Sequence, residues 1–266
     1  MKEKSKKTLG YRFIKWCVSL FYKKREFIGV ENIPDESCII VSNHAQAHGP
    51  VTYELYFPLP KKIWCIGQMM KVKEVPHYAY EDFWSKKPRG VRWLYRILSY
   101  LIAIPSAYLF THADTIAVYK DARLRKTLRD TEKALLEGNK VIIFPEKPEK
   151  FNEIVNEFQD KFIDVARHFY RVHGKALYFV PSYNSPALKK VVFGKPILFD
   201  PNKDIAEMRA EICEYIKNEI TALAKELPLH RVVPYENIAK SKYPYSKKLE
   251  AEPSAEGDLH SQFINK

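Results

Sequence analysis

Two histidines four residues apart, His44 and His48, lie in the stretch Ser42-Asn43-His44-Ala45-Gln46-Ala47-His48-Gly49-Pro50, between an apolar run at 38–41 and the sequence 51–57. An apolar, β-branched run of that kind is expected to form a buried strand. Gly49-Pro50 is expected to open a helix, because proline is pre-organised for the first helical position. His44 then falls at the carboxyl end of a strand beside a helix amino terminus, where open α/β sheets bind ligands and anions are favoured. A neutral imidazole there is a candidate general base. The plainer reading of a single such histidine is a residue that satisfies its own hydrogen bonds. A zinc site is a third reading, but the metal-hydrolase pattern H-E-x-x-H needs glutamate where Ala45 stands. No third ligand stands out, so neither a metal nor another cofactor is expected.

Two further polar groups follow apolar runs. Lys120 and Arg123 come after the run 115–119, and Glu146, Lys147 and Lys150 come after the run 140–144. Each cation taken singly is an ordinary solvated side chain. Three such groups at the strand ends of one sheet would converge, the histidine supplying a base and the cations holding a phosphate.

The elements that must position these groups alternate between strand and helix, which gives an α/β class: a mixed, largely parallel sheet flanked by helices. Short strands are expected at 25–30, 38–41, 63–66, 115–119, 140–144, 176–180 and 191–193, and helices after Pro50, at 91–104, 124–135, 160–172 and 205–227. Residues 69–89 carry no assignable period. Ahead of the domain, residues 2–25 place Leu9, Phe13, Trp16, Cys17, Leu20 and Phe21 at helical spacing between basic ends. This is the pattern of a helix that lies in a bilayer interface, or one that packs on the domain. The apolar stretch 97–110 is too short to span a bilayer and suits a buried or interfacial helix. The division expected is 1–24 basic amphipathic membrane-associating helix, 25–240 catalytic domain and 241–266 flexible polar tail.

The 266 residues carry a formal charge of +12, which calls for an anionic partner such as a nucleic acid, a membrane surface or a phosphorylated substrate. The basic residues are spread over the termini and helix faces without stacking aromatics between them, so nucleic acid is not expected. Cys17, Cys38, Cys65 and Cys213 form no C-x-x-C pair, which suits a reducing compartment.

The same residues resemble the glycerolipid acyltransferases, whose best-known members are 1-acyl-sn-glycerol-3-phosphate acyltransferases. Gly29-Val30-Glu31-Asn32-Ile33-Pro34 is similar to the family's Gly-x-Glu-x-Ile-Pro, and Ser42-Asn43-His44 with Pro50 to its Ser-Asn-His-x-x-x-x-Asp-Pro. Ile116-Ala117-Val118-Tyr119-Lys120 resembles a strand that ends in arginine, and Phe144-Pro145-Glu146-Lys147 resembles Phe-Pro-Glu-Gly-Thr-Arg. Tyr178-Phe179-Val180-Pro181 and Gly194-Lys195-Pro196-Ile197 are similar to the last two blocks. The resemblance covers residues 25–226. It implies a glycerol-phosphate acyltransferase-like fold and acyl transfer from acyl-CoA or acyl carrier protein to a lysophospholipid hydroxyl, without a metal or a covalent intermediate. His44 would be the base. Lys120, Arg123 and Lys147 would bind the phosphate, and Asn43, Phe144, Pro145 and Glu146 would shape the substrate site. The chain would work at the cytoplasmic face of an anionic membrane as a peripheral protein. Three positions depart from the pattern: Gly49 replaces the aspartate that orients the histidine, Lys147-Pro148-Glu149 replaces Gly-Thr-Arg, and Lys120 replaces arginine. His48, or a carboxylate from Glu54, Glu81 or Asp82, can substitute for the aspartate. The alternative is a catalytically impaired lipid-binding member of the same fold.

Overall fold

In the computed structural model, which describes residues 8–85 and 87–247, the apolar run before His44 is strand β2 (Cys38–Ser42), and all five of its residues are buried. Strands on both sides account for that. From one edge the sheet reads β1 (Glu26–Ile28), β9 (Lys190–Phe193), β8 (Tyr178–Ser185), β2, β5 (Lys140–Ile143), β3 (Lys61–Ile66) and β4 (Thr115–Val118), with β10 (Ile197–Leu198) paired to β8. Strands β8, β2, β5, β3 and β4 are parallel, and β9 and β10 join β8 antiparallel. This is the mixed, largely parallel sheet with flanking helices expected from the sequence.

Alternate side chains of a strand point to opposite faces, so β2 feeds two cores. Ile39 and Val41 join Leu135 of α6 (Leu124–Leu136), Phe169 of α7 (Asp164–His173) and Ile216 of α8 (Ile205–Glu226). Cys38 and Ile40 face α2 (His48–Tyr56), whose Tyr53 packs with Phe57, Phe193 and Phe144. Helix α8 is capped by Asp204, whose carboxylate accepts from the Ala206 N–H at 2.7 Å. It buries Met208, Ile212, Ile216 and Ile220 along one face, as their spacing requires.

The unassigned stretch between β3 and β4 is a set of short helical pieces. Helix α3 (Val75–Ala79) runs into a π-turn at Tyr80–Trp84, and α4 (Arg92–Leu101) meets α5 (Ala103–His112) at a bend of 45°. The helix expected to end at residue 104 therefore continues to His112. Pro105 sits in the first turn of α5, where its missing N–H would have had no partner. The polar block after β5, expected as a loop, is instead a hairpin of β6 (Glu146–Lys150) and β7 (Asn156–Phe158). Its turn is held by Asn152, whose side chain accepts from the Ile154 and Val155 N–H groups.

Beyond α8 the chain returns over the carboxyl edge of the sheet. His230 Nε2 is 2.8 Å from the Tyr183 hydroxyl, Val232 N–H donates to Pro244 and Ser246 N–H to His230. The boundary expected at 240 thus falls inside a folded segment. Residues 1–7 of the basic amino-terminal stretch, the side chain of Asp82 and residues 248–266 of the expected tail lie outside the described residues.

Candidate active site

The five mutually parallel strands deliver their carboxyl ends to one edge of the sheet, and β2 and β5 are neighbours there. Adjacency of those two strands brings His44 and Glu146 together. The Glu146 carboxylate accepts the His44 N–H through Oε2 and the Asn156 N–H through Oε1 at 3.0 Å. Glu146 is fully buried, and burial pushes its carboxyl up to about 7 against the pull of those two N–H donors, with Glu236 adding to the rise. Its geometry is that of a clamp on the backbone of the histidine.

After His44 the chain turns through Ala45 (φ 45°) and Gln46 (φ 55°), two consecutive left-handed residues that are not glycine. Each costs on the order of 1–2 kcal/mol, so surrounding contacts must hold them. Those contacts are visible. Gln46 Nε2 donates to the Glu236 carbonyl at 3.2 Å and to the Tyr243 hydroxyl at 3.1 Å, both on the carboxyl-terminal segment. The turn points the Gln46 carbonyl at His44 Nδ1, and the two are hydrogen-bonded. A carbonyl only accepts, so the proton lies on Nδ1 and the lone pair of the neutral ring lies on Nε2. The half-buried ring is set edge to face against Phe144 at 5.3 Å and Tyr235 at 5.8 Å.

Gly49 stands where the acyltransferase pattern that the sequence resembles has an aspartate, and the space there is closed. A Cβ on Gly49 would lie 2.6 Å from the His44 carbonyl oxygen and 2.7 Å from the Phe144 ring. The first turn of α2 can pass this close to the His44 loop only without a side chain. The orienting acceptor comes instead from the backbone, three residues earlier in the chain.

The other expected site residues fall into three groups. Asn43 is buried with both ends of its amide used on Asn184: Oδ1 accepts from the N–H at 2.7 Å and Nδ2 donates to the carbonyl at 3.1 Å. It extends the β2–β8 pairing and faces no opening. His48 turns away from His44: its Nδ1 is 2.9 Å from the Tyr22 hydroxyl, and burial with Arg25 and Lys240 nearby lowers its pKa. Glu54, one of the carboxylates expected to fold back, instead binds Tyr11 and Lys15 and lies near Lys61, which together hold it at about 2 despite burial. Glu81 is exposed.

Among the cations, Lys120 and Arg123 follow β4, three strand spacings or about 14 Å along the edge from β2. Arg123 is already occupied. Its Nε and Nη2 reach Asp121, its Nη1 reaches Glu74 at 2.9 Å, and its guanidinium stacks over Tyr119 at 4.0 Å. Lys147 pairs with Glu149 at 2.7 Å. Lys120 is exposed and forms no ion pair among the described residues. Phe144 packs between His44 and Tyr53, and the buried Pro145 offers its carbonyl to the Gln159 N–H. Sequence reasoning missed Gln46, Tyr235, Tyr243 and Asn156. Gln46 falls at an unspecified position of the His44 block, Asn156 opens the short strand β7, and Tyr235 and Tyr243 lie beyond the last periodic helix, so no residue pattern singles them out.

No family model matches the chain, and no curated protein sequence matches it. Among solved structures it is similar to the crystal structure of the 1-acyl-sn-glycerophosphate (LPA) acyltransferase PlsC from Thermotoga maritima. The identity is 18% and the TM-score 0.47, over 80% of this chain and 77% of that one.

Proposed function

We propose that the chain is an acyltransferase that moves a fatty acyl group from an acyl thioester, either acyl-CoA or acyl carrier protein, to the free hydroxyl of a lysophospholipid in phospholipid synthesis. The observation that carries this reading is the arrangement of His44. The imidazole sits at the carboxyl end of β2 with its backbone clamped by Glu146 and its Nδ1–H given to the Gln46 carbonyl. That leaves Nε2 as a base of fixed direction, beside the block Phe144-Pro145-Glu146 that the sequence resemblance associates with glycerolipid acyl transfer.

In this mechanism Nε2 takes the proton of the acceptor hydroxyl as its oxygen attacks the thioester carbonyl. The carbon–sulfur bond then breaks, and the imidazolium returns the proton to the leaving thiolate. A positioned base of this kind supplies about 10²–10⁴ in rate. Gln46 and Glu146 act by positioning and touch no reacting atom. The phosphate of the acceptor has Lys120 as its ready cation, and Arg123 can join only by exchanging Asp121 or Glu74 for it. Lysine neutralises a phosphate as a point charge and lacks the planar fork of arginine. That favours a weaker hold on the head group than an arginine pair would give. On this reading the reaction runs at the cytoplasmic face of an anionic membrane, and the charge of +12 and the basic helix α1 (Leu9–Phe21) support a peripheral location.

A mass-spectrometric acyl-transfer assay over a panel of lysophospholipids and acyl thioesters tests the reading. Product from the natural chain and none above background from His44→Ala is the expected result. The pairing of Arg123 and Lys147 with carboxylates favours a second reading, a lipid-binding member without turnover. On that reading neither protein forms product and both bind the same lipid.

A further inference from the structure

Helix α1 and the bent pair α4–α5 turn their side chains the wrong way round for a water-facing surface. In α1 the polar groups face the protein: Tyr11 is buried with its hydroxyl on Glu54 at 2.7 Å, and Lys15 binds the same carboxylate. Phe13 and Phe21 face outward, 62% and 89% exposed. In α4 the buried residue is Ser99, while Trp93 and Leu101 are 64% and 68% exposed. Helix α5 packs its small residues Ala103 and Ala107 inward and leaves Ile104 out at 69%. An amphipathic helix on a soluble domain does the reverse.

The effect is concentrated. Fourteen of the 24 exposed large hydrophobic side chains among the described residues fall within residues 9–21 and 91–104, so the patch is not the ordinary scatter of a protein surface. The two elements also touch: the Thr8 hydroxyl lies 2.7 Å from that of Tyr108 on α5, and Gly10 packs against the same oxygen. Their charge is of one sign. Residues 83–113 contain Lys86, Lys87, Arg89, Arg92 and Arg96 and no acidic residue, and residues 8–25 contain Arg12, Lys15, Lys23, Lys24 and Arg25 and again no acidic residue.

We propose that α4–α5 and the outer face of α1 form one continuous surface that inserts in plane into the interfacial layer of an anionic phospholipid bilayer. This adds a second, internal membrane element to the amino-terminal helix and rests only on the membrane part of the functional reading. No single helix among the described residues is long and apolar enough to cross a bilayer, and α4 and α5 have the length and composition of a span only taken together. Their 45° bend and the contact of α5 with the start of α1 favour the in-plane position over a broken span. Apolar side chains would enter the acyl boundary, and the cations at the edge of the patch would meet lipid phosphates and carboxylates.

Flotation of the full chain with vesicles of phosphatidylcholine alone, or with phosphatidylserine added, tests the surface. Binding to the mixed vesicles that rises with their anionic fraction is expected. The double substitution Leu101→Glu with Ile104→Glu should weaken it by at least about tenfold. Both positions are exposed, so the circular dichroism spectrum should not change. Brominated lipid should quench the fluorescence of the bound natural chain. Trp93→Phe should remove part of that quenching, whereas Trp64→Phe, on β3, should not. Vesicle binding by His44→Ala should equal that of the natural chain, which separates docking from turnover. Equal binding by the glutamate variant, equal binding to neutral vesicles, or a dimer that hides this face and ignores vesicles would overturn the proposal.

Discussion

Introducing at position 49 the aspartate of the resembled pattern should damage this protein. Gly49→Asp puts a Cβ 2.6 Å from the His44 carbonyl oxygen and 2.7 Å from the Phe144 ring, contacts that real side chains do not make. Neither neighbour can yield cheaply, since one is backbone and the other is wedged between His44 and Tyr53. Overpacking of this kind costs about 1–3 kcal/mol, and a carboxylate forced toward a buried site raises the total to on the order of 3 kcal/mol. At about 2–4 °C per kcal/mol for a chain of this size, the melting temperature should fall by about 6–12 °C. Activity should fall as well, by about tenfold or more, because relief of the clash must move the His44 carbonyl and with it the turn that presents Gln46. Gly49→Ala supplies the same clash without the charge and should show most of the loss. Thermal melts and the acyl-transfer assay on both variants decide the matter. A Gly49→Asp protein that keeps its melting temperature and turns over faster than the natural chain would mean that the site is open and still wants a carboxylate.

Three further outcomes are expected. Gln46→Ala removes the hydrogen bonds to Glu236 and Tyr243 that hold a left-handed backbone, so kcat should drop about tenfold with KM for the donor little changed; an unchanged kcat would show that the turn holds itself. Glu146 titrates near 7 in the folded chain against about 4.5 unfolded, so its contribution to stability is full below pH 4.5 and is lost as pH rises to 7, at most about 3 kcal/mol. Denaturant melts of Glu146→Gln at pH 5 and pH 8 should therefore show less loss than the natural chain, and an equal loss in both would contradict the assignment. Glu74→Gln frees Arg123 Nη1 from one partner, and KM for a phosphate-bearing acceptor should fall a few-fold; no change would place the head group elsewhere.

How far the chain could be read in advance varies by element, for physical reasons. Strands β2 and β5 and helix α8 were legible because burial on two faces demands a continuous apolar run, and burial on one face of a helix demands the spacing of Met208, Ile212, Ile216 and Ile220. The position of His44 at a strand end followed from its neighbours. Other features had no local signal. The β6–β7 hairpin alternates charges on an exposed ladder and buries only Glu146 of its first strand, so it reads as a loop. The orienting carbonyl of Gln46 belongs to a backbone conformation held by residues about 190 positions away, and the usual left-handed residues, glycine and asparagine, are absent from the turn. Arg123 and Lys147 were read as open cations because pairing with Glu74 and Glu149 is a matter of packing that spacing does not reveal.

The protonation of a single imidazole reaches the core of the account. Long-range proton–nitrogen correlation spectra of the ¹⁵N-labelled chain, with His44→Ala to assign the ring, report which nitrogen of neutral His44 carries the hydrogen. The hydrogen on Nδ1, held by the Gln46 carbonyl and leaving Nε2 as the base, is the outcome expected here. The hydrogen on Nε2 would remove the base from the acceptor side and contradict the mechanism.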